Sequence, residues 1–454
     1  MNISFDEISS ALNVEIPLEG FISGVSTDTR SISKGELFIA LTGDNFDGND
    51  YVNDALNKGA SAAICTKFSG TDKKVIIVGD TLKALRDIAS LYRERFVVKL
   101  YALTGSVGKT TTRGMIKNVL SSKYKTLANE NNLNNEIGVS KTLFRLNSSY
   151  SAAVIEMGMN HFDEIKRISL LAKPTAAVIT NIGTAHIENL GSKEGVLKAK
   201  LEVLYGLEKN APLILNGDDE ILKDYKNNDF DIIKFGIDNK QCDVLADEIK
   251  LTSVGSYYTV HYKGESAKGF VPSLGRHNIL NALAAISVGL TAGIELSDCV
   301  KAIEKFTVEG RRQKIVEKGG ITFIEDCYNA NPESVKAALN TLSQTHSERR
   351  IAVLGDMLEL GDFSEDAHKQ SGEKAAAVAD IVFTYGEMSK LTAAEAEKQG
   401  CKKAESFMSK EKLSQSLVNT LQKGDTVLFK ASRGMKLEDV INRVYDELFK
   451  EKEG

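Results

Sequence analysis

The sequence predicts three α/β domains, and three observations carry that expectation. Its 454 residues exceed what one hydrophobic core supports, and at roughly 150 residues per domain they divide into about three. Short apolar runs alternate with helix-period segments almost throughout, the pattern of βαβ units and parallel sheets. A composition that is 42% hydrophobic and 26% charged, with only 5 Pro, excludes a mostly disordered or fibrous chain.

The first segment reads as the strand ELFIAL (36–41), the helix YVNDALNKGA, and the strands SAAIC (61–65) and VIIV (75–78). TLKALRDIASLYRERF follows as a helix that ends in basic residues, as helix C-termini prefer. It is expected to connect to a second domain. That domain opens on the strand VVKLYAL (97–103), which runs into a Gly-rich turn and a helix. Buried-looking strands follow at SAAVIEMG (151–158), TAAVITN (175–181) and PLILN (212–216), then a largely buried helix at HNILNALAAISVGLTAG (277–293). The third segment restarts the alternation with ITFIEDC, a helix after Pro332, RRIAVLGDM, a helix, DIVFTYG, more helix, and DTVLFK (425–430). It closes on a helix with one apolar stripe of Leu437, Val440, Ile441, Val444 and Leu448. No internal repeat is evident.

Charge and cysteine usage narrow the class. Lys and Arg number 57 against 62 Asp and Glu, a net charge of −5, so the basic excess that drives binding to a phosphate backbone or an anionic membrane is missing. The cysteines Cys65, Cys242, Cys299, Cys327 and Cys401 are odd in number and far apart, which suits reduced thiols better than a disulfide framework or a zinc site. MNISFDEISSALNVEI lacks the pattern of a signal peptide, and no apolar run approaches the ~20 residues of a membrane helix. A cytoplasmic protein, monomeric and without nucleic-acid or membrane partners, is expected.

Chemistry first shows in TGSVGKTTT (104–112), between a strand and a helix. Glycines let backbone wrap closely round phosphates, Lys109 supplies a cation, and the amides of the next helix add donors. Thr110 or Thr111 has the hydroxyl that a phosphate-bound magnesium ion takes. Leu103 stands where the full GxxxxGK[ST] pattern has its first glycine, so the loop is a shortened form.

That form, TGSxGKTT, resembles the ATP loop of the Mur ligases, the amino-acid-adding enzymes of peptidoglycan synthesis. STDTR (26–30) and LTGDNFDGNDY (41–51) resemble their nucleotide-sugar motifs. ENNLNNEIG (130–138), EMG (156–158), NIGTAH (181–186), KAKLE (198–202), GRHNILNALAA (275–285), EGRR (309–312), EDCYNANPES (325–334), GDMLELG (355–361) and KASRGM (430–435) follow in the family's order. NNLNNEIG and DxYNANPxS are similar to the member that adds D-alanyl-D-alanine to UDP-N-acetylmuramoyl-tripeptide. Glu325 and Cys327 depart from the common Asp and Ser, and Ser140 from a common Pro. The rivals are the diamino-acid-adding ligase of the preceding step, a P-loop switch or motor, and a non-catalytic nucleotide-sugar module. A GTPase would be expected to show N-K-x-D after a strand, which this chain lacks. The set Lys109, Glu156 and Lys200 argues against a module without catalysis.

The resemblance implies a division at 1–98, 99–311 and 312–454. These would be an N-terminal α/β UDP-binding domain, a central P-loop-type ATPase domain on a mostly parallel sheet, and a Rossmann-like α/β domain that closes on ATP and binds D-alanyl-D-alanine. It implies ATP and two magnesium ions as cofactors, with carbon dioxide taken up as a carbamate on Lys200. ATP would meet Thr104, Gly105, Ser106, Val107, Gly108, Lys109, Thr110, Thr111, Asn278, Asn281, Arg311, Asp326 and Asn329. Magnesium would meet Thr110, Glu156, His186 and the Lys200 carbamate, and Lys109, Glu156, His186 and Lys200 would be the catalytic set. The nucleotide-peptide would meet Ser26, Asp28, Thr29, Arg30, Asp47, Asn134 and Asn135, and the dipeptide carboxylate Lys430, Ser432 and Arg433.

From the residues alone each assignment has a plainer counterpart. Glu156 ends an apolar strand, where α/β sheets place ligands, yet a carboxylate there is equally a helix cap. A lone His186 is commonly a satisfied loop residue, and magnesium prefers oxygen. Asn278 and Asn281 suit an adenine edge or simple helix-to-loop hydrogen bonds. Asp28 and Arg30 suit a surface ion pair, and Asn134 and Asn135 suit loop formation. Arg311 shares its assignment with adjacent Arg312. Periodicity makes Lys200 a solvated helix-surface lysine, whereas the resemblance makes it the carbamate.

Overall fold

The apolar runs of the sequence become strands and the periodic stretches between them become helices in a computed structural model, which describes residues 1–43, 45–308 and 310–449. Asp44 in LTGDNFDGNDY and Glu309 in EGRR lie outside the described residues. The chain forms two compact units. The first comprises Met1–Leu103, Tyr124–Ala177 and Glu202–Ala211; the second Thr104–Lys123, Val178–Leu201 and Pro212–Gly454.

In the first unit, Val25–Ser26, Leu37–Ile39, Ala62–Cys65 and Val75–Ile77 make a parallel sheet in that order. Phe38, Ala40, Val52, Ala55 and Ala63 pack as one of its cores. The expected connector is the helix Thr81–Glu94, started by Asp80, whose carboxylate accepts the Lys83 amide at 2.9 Å. It is more than a connector. The Tyr92 hydroxyl donates to the Leu146 carbonyl at 2.8 Å, and Arg93 Nε to the Ala172 carbonyl at 3.0 Å. Arg86 and Arg167 both pair with Glu136. Thr126–Ala128, Ala152–Glu156 and the strand beginning at Lys99 run parallel, with Ala152–Glu156 central. All five residues of that strand are buried, which is why it reads as a continuous apolar run rather than an alternating one.

In the second unit, Pro212–Asn216, Asp231–Gly236 and the start of Val244–Leu251 pair in parallel. Two antiparallel strands, Ser256–Tyr262 and Glu265–Val271, extend them. No strand is expected from the sequence between 217 and 276. The last of these strands, ESAKGFV, buries only two of its residues, so a short polar edge strand gives little apolar signal. The helix Arg276–Thr291 is buried along most of its length, as expected.

The third stretch forms a six-stranded sheet ordered Lys314–Lys318, Ile321–Glu325, Asp425–Lys430, Arg349–Gly355, Ile381–Tyr385, Lys403–Phe407. Only the first pairing is antiparallel. Leu437, Val440, Ile441 and Val444 join the core on one face, with Leu448 packed against it. Because Ile321–Glu325 and Asp425–Lys430 are parallel neighbours, Asp326 and Lys430 emerge at the same carboxyl-end edge, where open α/β sheets bind ligands. The five cysteines are free thiols, and burial pushes Cys327 up to about 11 and Cys299 to about 12. No helix among the described residues is long and apolar enough to cross a membrane.

Candidate active site

The strand Lys99–Thr104 hands over to the helix Lys109–Ser121 through residues 105–108. Gly108 sits at φ +81°, and a Cβ there would lie 2.6 Å from Asn281 Oδ1. A Cβ on Gly105 would lie 1.9 Å from Thr180 Oγ1. Only glycine fits either place. The loop is held from the neighbouring turn. Asn181 Oδ1 accepts the amides of Ser106 (3.1 Å) and Val107 (2.9 Å), and Asn181 Nδ2 donates to the Val107 carbonyl at 3.0 Å. Thr180 Oγ1 donates to the same carbonyl at 2.9 Å, and the Gly183 amide donates to Ser106 Oγ at 2.8 Å. Lys109 Nζ folds back on the Gly105 carbonyl at 2.7 Å. Thr110 is buried and Thr111 half-buried in the helix's first turn, while the buried Thr104 hydroxyl has no hydrogen-bond partner among the described residues.

Lys200 overturns the expectation from periodicity. It is 1% exposed, near the end of the helix Lys193–Leu201, while Lys198 is exposed. Desolvation, then the charge of Lys109, hold its amine well below the usual lysine range. An uncharged buried amine is a nucleophile. His186 adopts a left-handed backbone, φ +61°, and its Nδ1 lies 2.7 Å from Glu359 Oε2. The close contact with the His186 ring holds the Glu359 carboxyl below its ordinary value against the opposing effect of burial.

In the first unit Glu156 is 2% exposed, and its Oε1 accepts from Asn134 Nδ2 at 3.0 Å. Asn129 clamps the Glu156 backbone, accepting its amide and donating to its carbonyl, both at 2.9 Å. Asn135 caps the helix Glu136–Leu143, accepting the Gly138 amide at 2.9 Å. Ser26 Oγ donates to the Asp28 carbonyl at 3.0 Å, and the buried Thr29 offers its carbonyl to Lys58 Nζ at 3.1 Å. Asp28 and Arg30 form the exposed ion pair at 2.7 Å, which lowers the Asp28 pKa. Asp47 pairs with Lys67 at 2.7 Å.

In the second unit Asn278 and Asn281 are buried and joined, Asn281 Nδ2 donating to Asn278 Oδ1 at 3.0 Å. Asn278 Nδ2 lies within hydrogen-bond distance of Ser273 Oγ, the Leu274 carbonyl and Gln313 Oε1. These are helix-to-loop hydrogen bonds. Arg311 turns to Asn442 Oδ1 at 2.9 Å, with Glu325 at 3.4 Å, whereas Arg312 stacks 3.8 Å above the Tyr328 ring. Asp326 and Lys430 pair at 3.0 Å, and Lys430 Nζ donates to the Asn329 carbonyl at 2.7 Å. Ser432 Oγ is buried, accepting the Leu358 amide at 2.9 Å, and the exposed Arg433 pairs with Glu438 at 2.7 Å.

Three family models match in chain order. The Mur ligase family catalytic domain covers residues 21–93, the Mur ligase middle domain 103–289, and the Mur ligase glutamate ligase domain 310–433. A UDP-N-acetylmuramoyl-tripeptide–D-alanyl-D-alanine ligase of Bacillus subtilis is 39% identical over 427 residues, 92% of each chain. The chain belongs to the Mur ligase family. Among solved structures, a MurF from Acinetobacter baumannii superposes with a TM-score of 0.91 at 31% identity, over 98% of this chain and 99% of that one. A MurF ligase from Thermotoga maritima in complex with ADP gives 0.85 at 26% identity, over 93% and 97%.

This Mur ligase has residues whose chemistry suits magnesium. Among its described residues no three His, Cys, Asp or Glu side chains gather into an all-protein cage. Magnesium is usually held by one or two carboxylates and the substrate's phosphates. The Glu156 carboxylate and the Thr110 hydroxyl are oxygen donors of that kind. Several residues that shape this Mur ligase's site went unassigned in the sequence: Thr180, Asn181, Gln313, Glu333 and Glu359. Thr180 precedes NIGTAH, and Asn181, Glu333 and Glu359 lie inside recognised motifs, but nothing in a motif string says which member faces the loop.

Proposed function

We propose that this enzyme joins D-alanyl-D-alanine to UDP-N-acetylmuramoyl-tripeptide, consuming ATP and releasing ADP and phosphate. The observation that carries this is likeness along nearly the whole chain to a ligase of that name, at 39% identity. A phosphate loop with a buried lysine in the same unit, its amine held well below the usual lysine range by desolvation, supports it. The chain is an ATP-dependent ligase of peptidoglycan precursor synthesis. In our reading its three domains span 1–98, 99–311 and 312–454, and it works as a cytoplasmic monomer.

Forming an amide in water requires an activated acyl group. The tripeptide carboxylate attacks the γ-phosphorus of ATP, ADP leaves, and the dipeptide amine attacks the resulting acyl phosphate. The tetrahedral adduct expels phosphate. The protein's part is to neutralise crowded negative charge and to align reactants. Lys109 exchanges the Gly105 carbonyl for the β- and γ-phosphates. Magnesium, when bound, would screen those phosphates, held by Thr110, Glu156, His186 and the Lys200 carbamate. Asn278 and Asn281 would take the adenine, Asp326 and Asn329 the ribose side, and Arg311 the phosphates. Ser26, Asp28, Thr29, Arg30 and Asp47 would hold the UDP portion, Asn134 and Asn135 the muramoyl-peptide, and Lys430, Ser432 and Arg433 the dipeptide carboxylate.

The test is phosphate release from ATP by the purified protein across nucleotide-peptide and amine substrates. Release is expected only when UDP-muramoyl-tripeptide, D-alanyl-D-alanine and magnesium are present together. Equal turnover with a free diamino acid and UDP-muramoyl-dipeptide would move the assignment to the preceding ligase.

A further inference from the structure

Glu333 is the second residue of the helix Pro332–Ser343, whose start Asn331 caps by accepting the Ser334 amide at 2.9 Å. A carboxylate in a first helical turn is favoured by the helix dipole, but Glu333 is also aimed at a specific partner. Its Oε1 accepts the Thr184 amide at 2.9 Å and its Oε2 the Thr184 hydroxyl at 3.1 Å. Its carboxylate carbon lies 2.7 Å from where a Cβ on Gly183 would stand. Two residues farther along, Glu359 takes His186. Two carboxylates from the third stretch of the chain thus grip one short turn of the middle stretch.

The other side of that turn is the brace of the phosphate loop. Gly183 donates to Ser106 Oγ, and Asn181 holds the amides of Ser106 and Val107. Hydrogen bonds from Glu333 to Thr184 and from Gly183 to Ser106, joined by the covalent backbone between Gly183 and Thr184, therefore link Glu333 to the loop. We propose that Glu333 is a positioning residue for the phosphate loop, acting through residues 181–184. This rests on the reading that residues 104–112 hold the phosphates of ATP. Seating of the Pro332–Ser343 helix and nucleotide binding are then linked, and each strengthens the other.

The experiment measures ADP affinity by calorimetry and amide hydrogen exchange by mass spectrometry on the full chain. Glu333→Ala is expected to weaken ADP by about fivefold or more, the scale of one or two lost hydrogen bonds. Exchange should quicken in residues 104–110 as well as at Thr184. Glu333→Gln, which still offers an amide oxygen and a polar partner, should stay within about twofold of the parent. Thr184→Val, which removes only the hydroxyl contact, should weaken ADP more mildly, and adding it to Glu333→Ala should cause no further loss, because the two share one interaction. ADP affinity unchanged in Glu333→Ala, quickened exchange confined to residues 184–186, or additive losses in the double variant would each overturn the proposal. ADP binding is read without ligation. A protein that bound ADP but rejected D-alanyl-D-alanine would overturn the substrate reading and leave this one standing.

Discussion

The Lys430 ammonium stands 3.0 Å from the Asp326 carboxylate and donates to the Asn329 carbonyl at 2.7 Å. Their side chains are 4% and 12% exposed, so the pair is nearly dry. Sequence motifs place these residues more than a hundred positions apart and point them at different ligands. Parallel pairing of their strands instead makes them one unit at the sheet's carboxyl edge. A ligand that draws on either must satisfy both.

Breaking that pair strands a buried charge. Lys430→Met should destabilise the protein by about 3–5 kcal/mol, because Asp326 keeps its desolvation cost without its counter-ion. The double variant Lys430→Met with Asp326→Asn should recover part of the loss. Urea denaturation midpoints check both. A single variant as stable as the parent would show that the pair contributes nothing.

At Gly108 the geometry forbids a side chain twice over, by its left-handed φ of +81° and by Asn281 Oδ1 at 2.6 Å from a Cβ. Asn281 Oδ1 also accepts the Thr112 hydroxyl at 3.1 Å, so it has little freedom to retreat. Gly108→Ala should cost about 1–3 kcal/mol of stability. It should also weaken ADP binding, because the loop and Asn281 cannot both keep their positions. Thermal melting and ADP titration measure the two effects.

The phosphate loop, the alternating architecture and the apolar stripe of the last helix were legible because each is local: glycine spacing, strand–helix alternation and 3.6-residue periodicity. What the sequence concealed is pairing across distance. Nothing local distinguishes Asn181, which braces residues 106 and 107, from a turn-forming asparagine. Lys200 was misread by periodicity, since a buried lysine breaks the rule that charged helix residues face water. The edge strand Glu265–Val271 gives little signal because only two of its seven residues are buried. Its stability comes from its antiparallel partner rather than from burial.

His368 makes stability depend on pH. It is 1% exposed, its Nε2 accepts the Met357 amide at 3.1 Å, and its Nδ1 meets the Ser364 carbonyl at 2.7 Å. The ring is therefore neutral with its proton on Nδ1, and burial holds its pKa below the ordinary 6.5. As pH falls through about 6.5, the unfolded chain takes up a proton that the native ring refuses, so stability declines toward acid. His368→Asn should flatten the melting temperature between pH 7.5 and pH 5.5 relative to the parent. Identical slopes would remove His368 from the account. The turn at stake carries Glu359, and with it the hold on His186.

Lys200 joins burial to reactivity. Its amine is held low first by desolvation and then by Lys109. A lowered pKa makes the uncharged form easier to reach, and that form can add to carbon dioxide, losing a proton to give an anionic carbamate with two hard oxygens, the donors magnesium prefers. Lys198, exposed on another face of the same helix, lacks the desolvation that the chemistry needs. Lys200→Ala should keep the fold at a cost in stability, since it empties the space of a fully buried side chain, and should lower ligation by about a hundredfold or more through lost charge stabilisation. If Lys200 carries a carbamate, a small carboxylic acid added to the assay should restore part of that activity by placing oxygens where the carbamate would stand. Lys198→Ala should be mild by comparison. Phosphate release at saturating substrates, with circular dichroism as the control on folding, measures the series. Near-normal turnover of Lys200→Ala in buffer stripped of carbon dioxide would end the carbamate assignment, because alanine has no amine to carry a carbamate.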